Sequence, residues 1–142
     1  MKVQISGHYG DPKADRFFYP LKKKFNDLFE SKVDGDYFRS IVLLGIVFRV
    51  SGKVRDFGSK GPERLQYVKK ENAITIDLVF SVDMWQGVEP SVLAEAVYDG
   101  VSKCLSMMIE KSKALNELVE ENKLNSALNE ALELFKEIHC ST

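Results

Sequence analysis

The sequence predicts an α+β domain: an antiparallel sheet of about four or five strands, with an N-terminal helix and two C-terminal helices packed on it. Three observations carry that expectation. Ile74, Ile76, Leu78, Phe80 and Val82 alternate with Thr75, Asp77 and Ser81, the period of a half-buried strand. Phe18, Leu21, Phe25 and Leu28 recur at helical spacing, as do Leu93, Val97, Gly100, Val101, Cys104, Leu105 and Met108. The elements run strand, helix, strand meander, two helices, without repeats or an interdomain linker, so residues 1–142 are expected to form one domain.

The first strand is expected over Met1–Ser6, ending near Gly7, with a turn-rich loop through Pro12. Proline removes a hydrogen bond from a helix interior, so the first regular helix is expected to begin near Tyr19 or Pro20, with Arg16 to Phe18 as a lead-in turn. Lys22, Lys23, Lys24 and Asn26 face away from its apolar stripe, and Asp34, Gly35, Asp36 mark its end. Phe38 to Val50 carries β-branched and aromatic residues on both alternating faces and reads as a central strand. Ser51, Gly52, Lys53 then suggests a hairpin turn into a strand beginning at Val54. Phe57 to Pro62 reads as a flexible loop, followed by a strand from Glu63 to Lys70 and a tight turn at Glu71 and Asn72. From Pro90 the period is helical. Glu120, Glu121, Asn122, Lys123 interrupts it, which places a break near Asn122, and Ser126 to His139 is expected to bury Leu128, Leu132, Phe135 and Ile138.

With 142 residues, 44% hydrophobic and 29% charged, the chain has the composition of a globular domain rather than of a disordered one. The N-terminal segment lacks the continuous apolar core of a secretory signal, and the longest apolar run, Ile41 to Phe48, is far shorter than a bilayer span. Two cysteines, Cys104 and Cys140, make no disulfide framework, and a reducing cytoplasm is the expected compartment. A net charge of −1 argues against direct nucleic-acid binding and against a membrane surface. The charge is unevenly spread: Met1–Ser81 carries 15 Lys and Arg against 10 Asp and Glu, net +5, whereas Val82–Thr142 carries 5 against 11, net −6. Such asymmetry arises from solvated helices and strand edges, and it also suits a charge-complementary partner.

No motif for chemistry emerges. Gly7 and Gly10 have neither the following Lys-Ser or Lys-Thr of a phosphate loop nor the three glycines of a dinucleotide fingerprint. The loop between them and Pro12 holds His8, Tyr9 and Asp11, a candidate ligand or catalytic site at a strand end, but an imidazole near an aspartate is also an ordinary loop feature. His8, Cys104, His139 and Cys140 are too scattered for a structural zinc site, so neither metal nor cofactor is expected. No nucleophile elbow exists, and Cys104 falls on the apolar stripe of its helix, where it fills core. Arg39 and Arg49 flank the central strand and Asp77 lies on a neighbour's polar face, a candidate structural ion pair. Trp85 is expected to plug the end of the core, with an exposed partner anchor as the alternative.

The opening MKVQISGHYG, the aromatic helix after it and the central FRSIVLLGIVFRVSGKV resemble the small α+β immunity proteins of bacterial polymorphic-toxin systems, including contact-dependent growth inhibition. The resemblance implies a non-enzymatic cytoplasmic protein that neutralises a cognate toxin domain by binding it; it maps no binding residues onto this chain. The alternatives are a small-molecule-binding or enzymatic domain using His8 to Asp11, and a subunit that docks its acidic helices on a larger assembly. For a binding protein, the clustered carboxylates of Glu117, Glu120 and Glu121 beside the expected break, with Trp85, are the candidate contacts with a basic partner. Lys22, Lys23 and Lys24 are their rivals for an acidic one.

Overall fold

The computed structural model describes residues 1–7, 9–51, 59–81 and 84–140. Strand β1 (Lys2–Gly7) leads through a 3-10 turn, Pro12–Ala14, into helix α1 (Asp15–Lys32), and the chain returns in β2 (Leu43–Ser51). β2 lies parallel to β1, with Lys2 opposite Leu43 and Ile5 opposite Ile46. A strand regained through a crossover helix can lie parallel to its predecessor, because the helix carries the chain back to the starting end. β3 (Ser59–Val68) and β4 (Ala73–Ser81) form an antiparallel hairpin, and β4 inserts beside β2, parallel to it. The sheet is therefore mixed and mostly parallel, in the order β1-β2-β4-β3, which corrects the expected antiparallel arrangement.

Several expected boundaries move for the same reason. β2 pairs with β1 and β4 rather than folding onto the next strand, so the expected hairpin at Ser51–Lys53 is not formed between β2 and β3; Gly52–Gly58 lie outside the described residues. Ser59–Pro62, expected in a loop, belong to β3, and the strand at Phe38–Val42 is absent apart from one bridge, Phe38 to Leu118. Helix α1 starts at Asp15 and holds Pro20 within it. The proline sits close to the N-terminus and is exposed, so the carbonyl left without a donor is that of Arg16 in the first turn, where water reaches it.

Helix α2 (Pro90–Ala114) begins on its proline, as expected, and α3 (Glu121–Phe135) follows after a turn, ending in a π-helical turn, Lys136–Cys140. The break falls at Leu115–Glu120, a few residues before the expected position, because Asn116 takes the left-handed conformation (φ 58°) that ends helices and that Asn tolerates better than most residues.

Helices α1 and α2 bear on one face of the sheet, and α3 packs against both of them. Val3 and Ile5, Leu44, Ile46 and Phe48, and Ile74, Ile76, Leu78 and Phe80 point into one connected core with Phe18, Phe25, Val97, Cys104 and Phe135. Phe25 and Phe135 stack with ring centroids 3.7 Å apart, joining α1 to α3. Ile138, expected in the core, is 54% exposed. β4 is buried nearly throughout, Asp77 and Ser81 included, because strands flank it on both sides. On the face away from the helices, Arg49 Nε lies 3.0 Å from Asp77 Oδ2, an ion pair by distance although the N–H is not aimed for a hydrogen bond.

Candidate functional site

The turn between α2 and α3 is tied to the segment that joins α1 to β2. Leu118 bridges Phe38, Arg39 N–H donates to the Glu117 carbonyl at 2.8 Å, and Val119 N–H donates to the Tyr37 carbonyl at 2.9 Å. Arg39 Nε donates to the Asn116 carbonyl at 2.9 Å. The Glu117 carboxylate completes the joint: it accepts from Ser40 N–H (2.7 Å), Ser40 Oγ (2.9 Å) and Ile41 N–H (3.1 Å). These donors, the Ser40 amide foremost, hold its carboxyl below the usual glutamate range. Glu117, expected as a free contact, thus acts first as a brace.

The brace brings the start of α3 beside the end of α1. Asp34, Asp36 and Tyr37 from one side and Glu120 and Lys123 from the other line a cleft of about 540 Å³. Asp36 is 97% exposed, with the amino group of Met1 at 3.7 Å. Glu120 meets Lys123 only at 3.9 Å, and Glu121 turns back along the helices to Lys113 at 3.4 Å, which also reaches Glu110. Exposed pairs of this kind contribute about 0–1 kcal/mol each, so a partner's cation can replace the intramolecular one at little cost. Asp34 also borders a second cleft of about 290 Å³, running along β1 between Val3, Asn26 and Glu30. Glu30, Asp34, Asp36 and Glu120 therefore border two adjoining clefts, with Lys2 and Lys123 as the lysines lining them.

The remaining candidates lie elsewhere. Trp85 is 1% exposed, its ring 5.5 Å from that of Phe17 and 6.5 Å from that of Phe18, so it plugs the core; among the described residues its Nε1 has no hydrogen-bond partner. Tyr9 stacks on Phe18 at 5.8 Å, and its hydroxyl, buried without a partner among the described residues, is pushed up to about 12 by burial and then by Asp15. Asp11 accepts the Lys13 N–H at 2.9 Å and so opens the turn that follows. His8 lies outside the described residues. Among the described residues no three His, Cys, Asp or Glu gather as metal ligands, and no helix is long and apolar enough to cross a membrane. Of the lysine trio, Lys23 pairs with Asp27 at 3.0 Å and Lys22 lies over the rings of Tyr9 and Tyr19.

Sequence reasoning missed Asp34 and Asp36 as candidates. Asp34-Gly35-Asp36 carries the signal of a helix stop, and nothing in the local pattern shows that Glu120, far along the chain, comes to face it.

The family model described as Immunity protein 44 (Imm44) matches residues 1–137, the segment that includes β1, the brace, both clefts and all three helices. The chain belongs to the Imm44 family. No curated protein and no solved structure gives a significant match. As an Imm44 member it is an immunity protein of a toxin system, and such a protein has a toxin as its binding partner. The expected resemblance to immunity proteins agrees with this assignment.

Proposed function

We propose that this Imm44 protein neutralises a cognate bacterial toxin domain in the cytoplasm by binding, without catalysis, and that its acidic clefts cover a basic surface of the toxin. The single observation behind the choice of surface is the cleft in which Asp34, Asp36 and Glu120 converge, fixed in place by the Glu117 brace. Glu120, at the N-cap of α3, is the contacting carboxylate from this side of the cleft, Glu121 in the first turn of α3 adds its charge beside it, and Glu117 positions both. A toxin domain that binds nucleic acid carries the positive groove such carboxylates fit, and long-range attraction of this kind speeds association more than it slows dissociation. The polymorphic-toxin and contact-dependent inhibition systems are the setting this reading implies.

The test measures binding kinetics at two salt concentrations with a purified toxin domain that this chain is first shown to neutralise. Asp34→Lys/Asp36→Lys/Glu120→Lys is expected to slow association at least tenfold and to flatten its salt dependence, with a smaller change in dissociation. Unchanged association for that variant, beside a large loss for Lys22→Glu/Lys23→Glu/Lys24→Glu, would transfer the interface to the basic face of α1.

A further inference from the structure

The two edges of the sheet are finished differently. At β3 the edge carries Pro62 and two register irregularities, with Gly61 at φ 79° and Arg64 at φ 52°, features that keep another strand from pairing. At β1 the protection is local. Lys2 N–H donates to the Val42 carbonyl at 2.9 Å, so Lys2, Gln4 and Ser6 turn their backbone groups toward β2, and Val3 and Ile5 turn theirs toward the free edge. The Asn26 side chain from α1 imitates a neighbouring strand there: its Oδ1 accepts the Ile5 N–H at 2.8 Å and its Nδ2 donates to the Ile5 carbonyl at 2.9 Å. Two residues earlier the Val3 N–H and carbonyl face the 290 Å³ cleft, and no described residue pairs with them.

Building on the acidic-cleft reading, we infer that the toxin domain adds an extended segment to the β1 edge at Val3, with a basic side chain of that segment held by Glu30 and Asp34. Main-chain bonds of this kind supply affinity while flanking side chains supply specificity. Asn26 sets the register, since pairing has to stop where its amide occupies Ile5. Charge selects the occupant: Glu30 and Asp34 are both exposed beside the open stretch, so a second copy of this chain would bring the same carboxylates against them, whereas a basic segment neutralises them. Asp34 lines this cleft and the one at Glu120, so both fall within one continuous contact.

Amide exchange and intermolecular NOEs of the isotopically labelled chain, free and bound to the same toxin domain in unlabelled form, test the proposal. The Val3 amide is expected to exchange at least tenfold more slowly in the complex and to show backbone NOEs to an extended toxin segment; the Ile5 amide is slow in both states. Val3→Pro, checked for an intact fold by its spectrum, and Glu30→Lys should each weaken binding at least tenfold. A complex that is weakened by the Asp34/Asp36/Glu120 reversal but leaves the Val3 amide unprotected overturns strand addition alone. Protection of Val3 in a complex indifferent to that reversal overturns the Glu120 cleft reading and sustains strand addition. Concentration-dependent protection of Val3 without toxin would assign the edge to a second copy, and absence of any complex overturns both readings.

Discussion

Glu117 and Ser40 lie far apart in sequence, yet both carboxylate oxygens of Glu117 are engaged by Ser40, one by its amide at 2.7 Å and one by its hydroxyl at 2.9 Å. Helix α3 therefore takes its place relative to β2 from a polar joint as well as from the apolar core. Because these donors lower the folded-state pKa, the unfolded chain takes up the proton first as the solution is acidified. The joint contributes fully above the ordinary value of 4.5 and fades as pH falls from there through the depressed folded value. Glu117→Gln is expected to cost about 1 kcal/mol at neutral pH, since the site is solvent-accessible, and to reduce the loss of stability below pH 4.5. Urea denaturation across an acid series measures both; an unchanged acid slope would deny the joint any energetic weight.

Asn26 is the only described side chain that occupies the β1 edge at Ile5. Asn26→Leu preserves size but leaves the Ile5 amide and carbonyl without partners, which should destabilise the fold by about 1–3 kcal/mol. Denaturation midpoints and the exchange rate of the Ile5 amide report this directly. A wild-type midpoint with slow Ile5 exchange would show that another group replaces the amide.

Gly100 allows α2 to approach β4. A methyl group there would stand 2.7 Å from Leu78 Cδ2 and 2.9 Å from Cδ1. Gly100→Ala gains about 1 kcal/mol of helix propensity, but forcing a buried leucine aside typically costs about 1–3 kcal/mol, so net destabilisation is expected. Paired with Leu78→Ala, it should cost less than the sum of the two single changes. Strict additivity in denaturation would mean that the two side chains do not meet.

Cys104 is fully buried, and its thiol is pushed up to about 12, by burial first and then by Asp77. Cys140 is partly exposed, its thiol also raised chiefly by burial. Thiolate is the reactive form, so iodoacetamide on the native protein near neutral pH should label Cys140 and spare Cys104 until the chain unfolds. Mass spectrometry of peptides from native and denatured samples settles the order; equal native labelling would contradict the packing of α2 on β4.

Alternation at 73–81 and helical spacing at 90–114 made those elements legible, because each pattern records which side of one segment meets the core. Cys104 was legible as core for the same reason. Trp85 was placed at the end of the core by its position between β4 and α2 while kept as a candidate partner contact, and of the two arginines flanking the central strand it is Arg49 that pairs with Asp77. The start of α1 was misjudged because the penalty for Pro20 depends on how near it sits to the helix end, which local pattern alone does not set.

By itself the sequence determined the α+β class, the three helical stripes, most of the apolar core and the separation of a basic first half from an acidic second half. Tertiary structure alone decided strand order and direction, since a buried strand shows the same apolar faces whether its neighbour is parallel or antiparallel. It also decided the site. Asp34, Asp36 and Glu120 share a cleft, and Val3 presents an open edge beside Asn26, only because β4 inserts next to β2 and the Glu117 brace draws α3 toward the end of α1. Proximity between residues so distant in the chain follows from packing, which local periodicity does not encode.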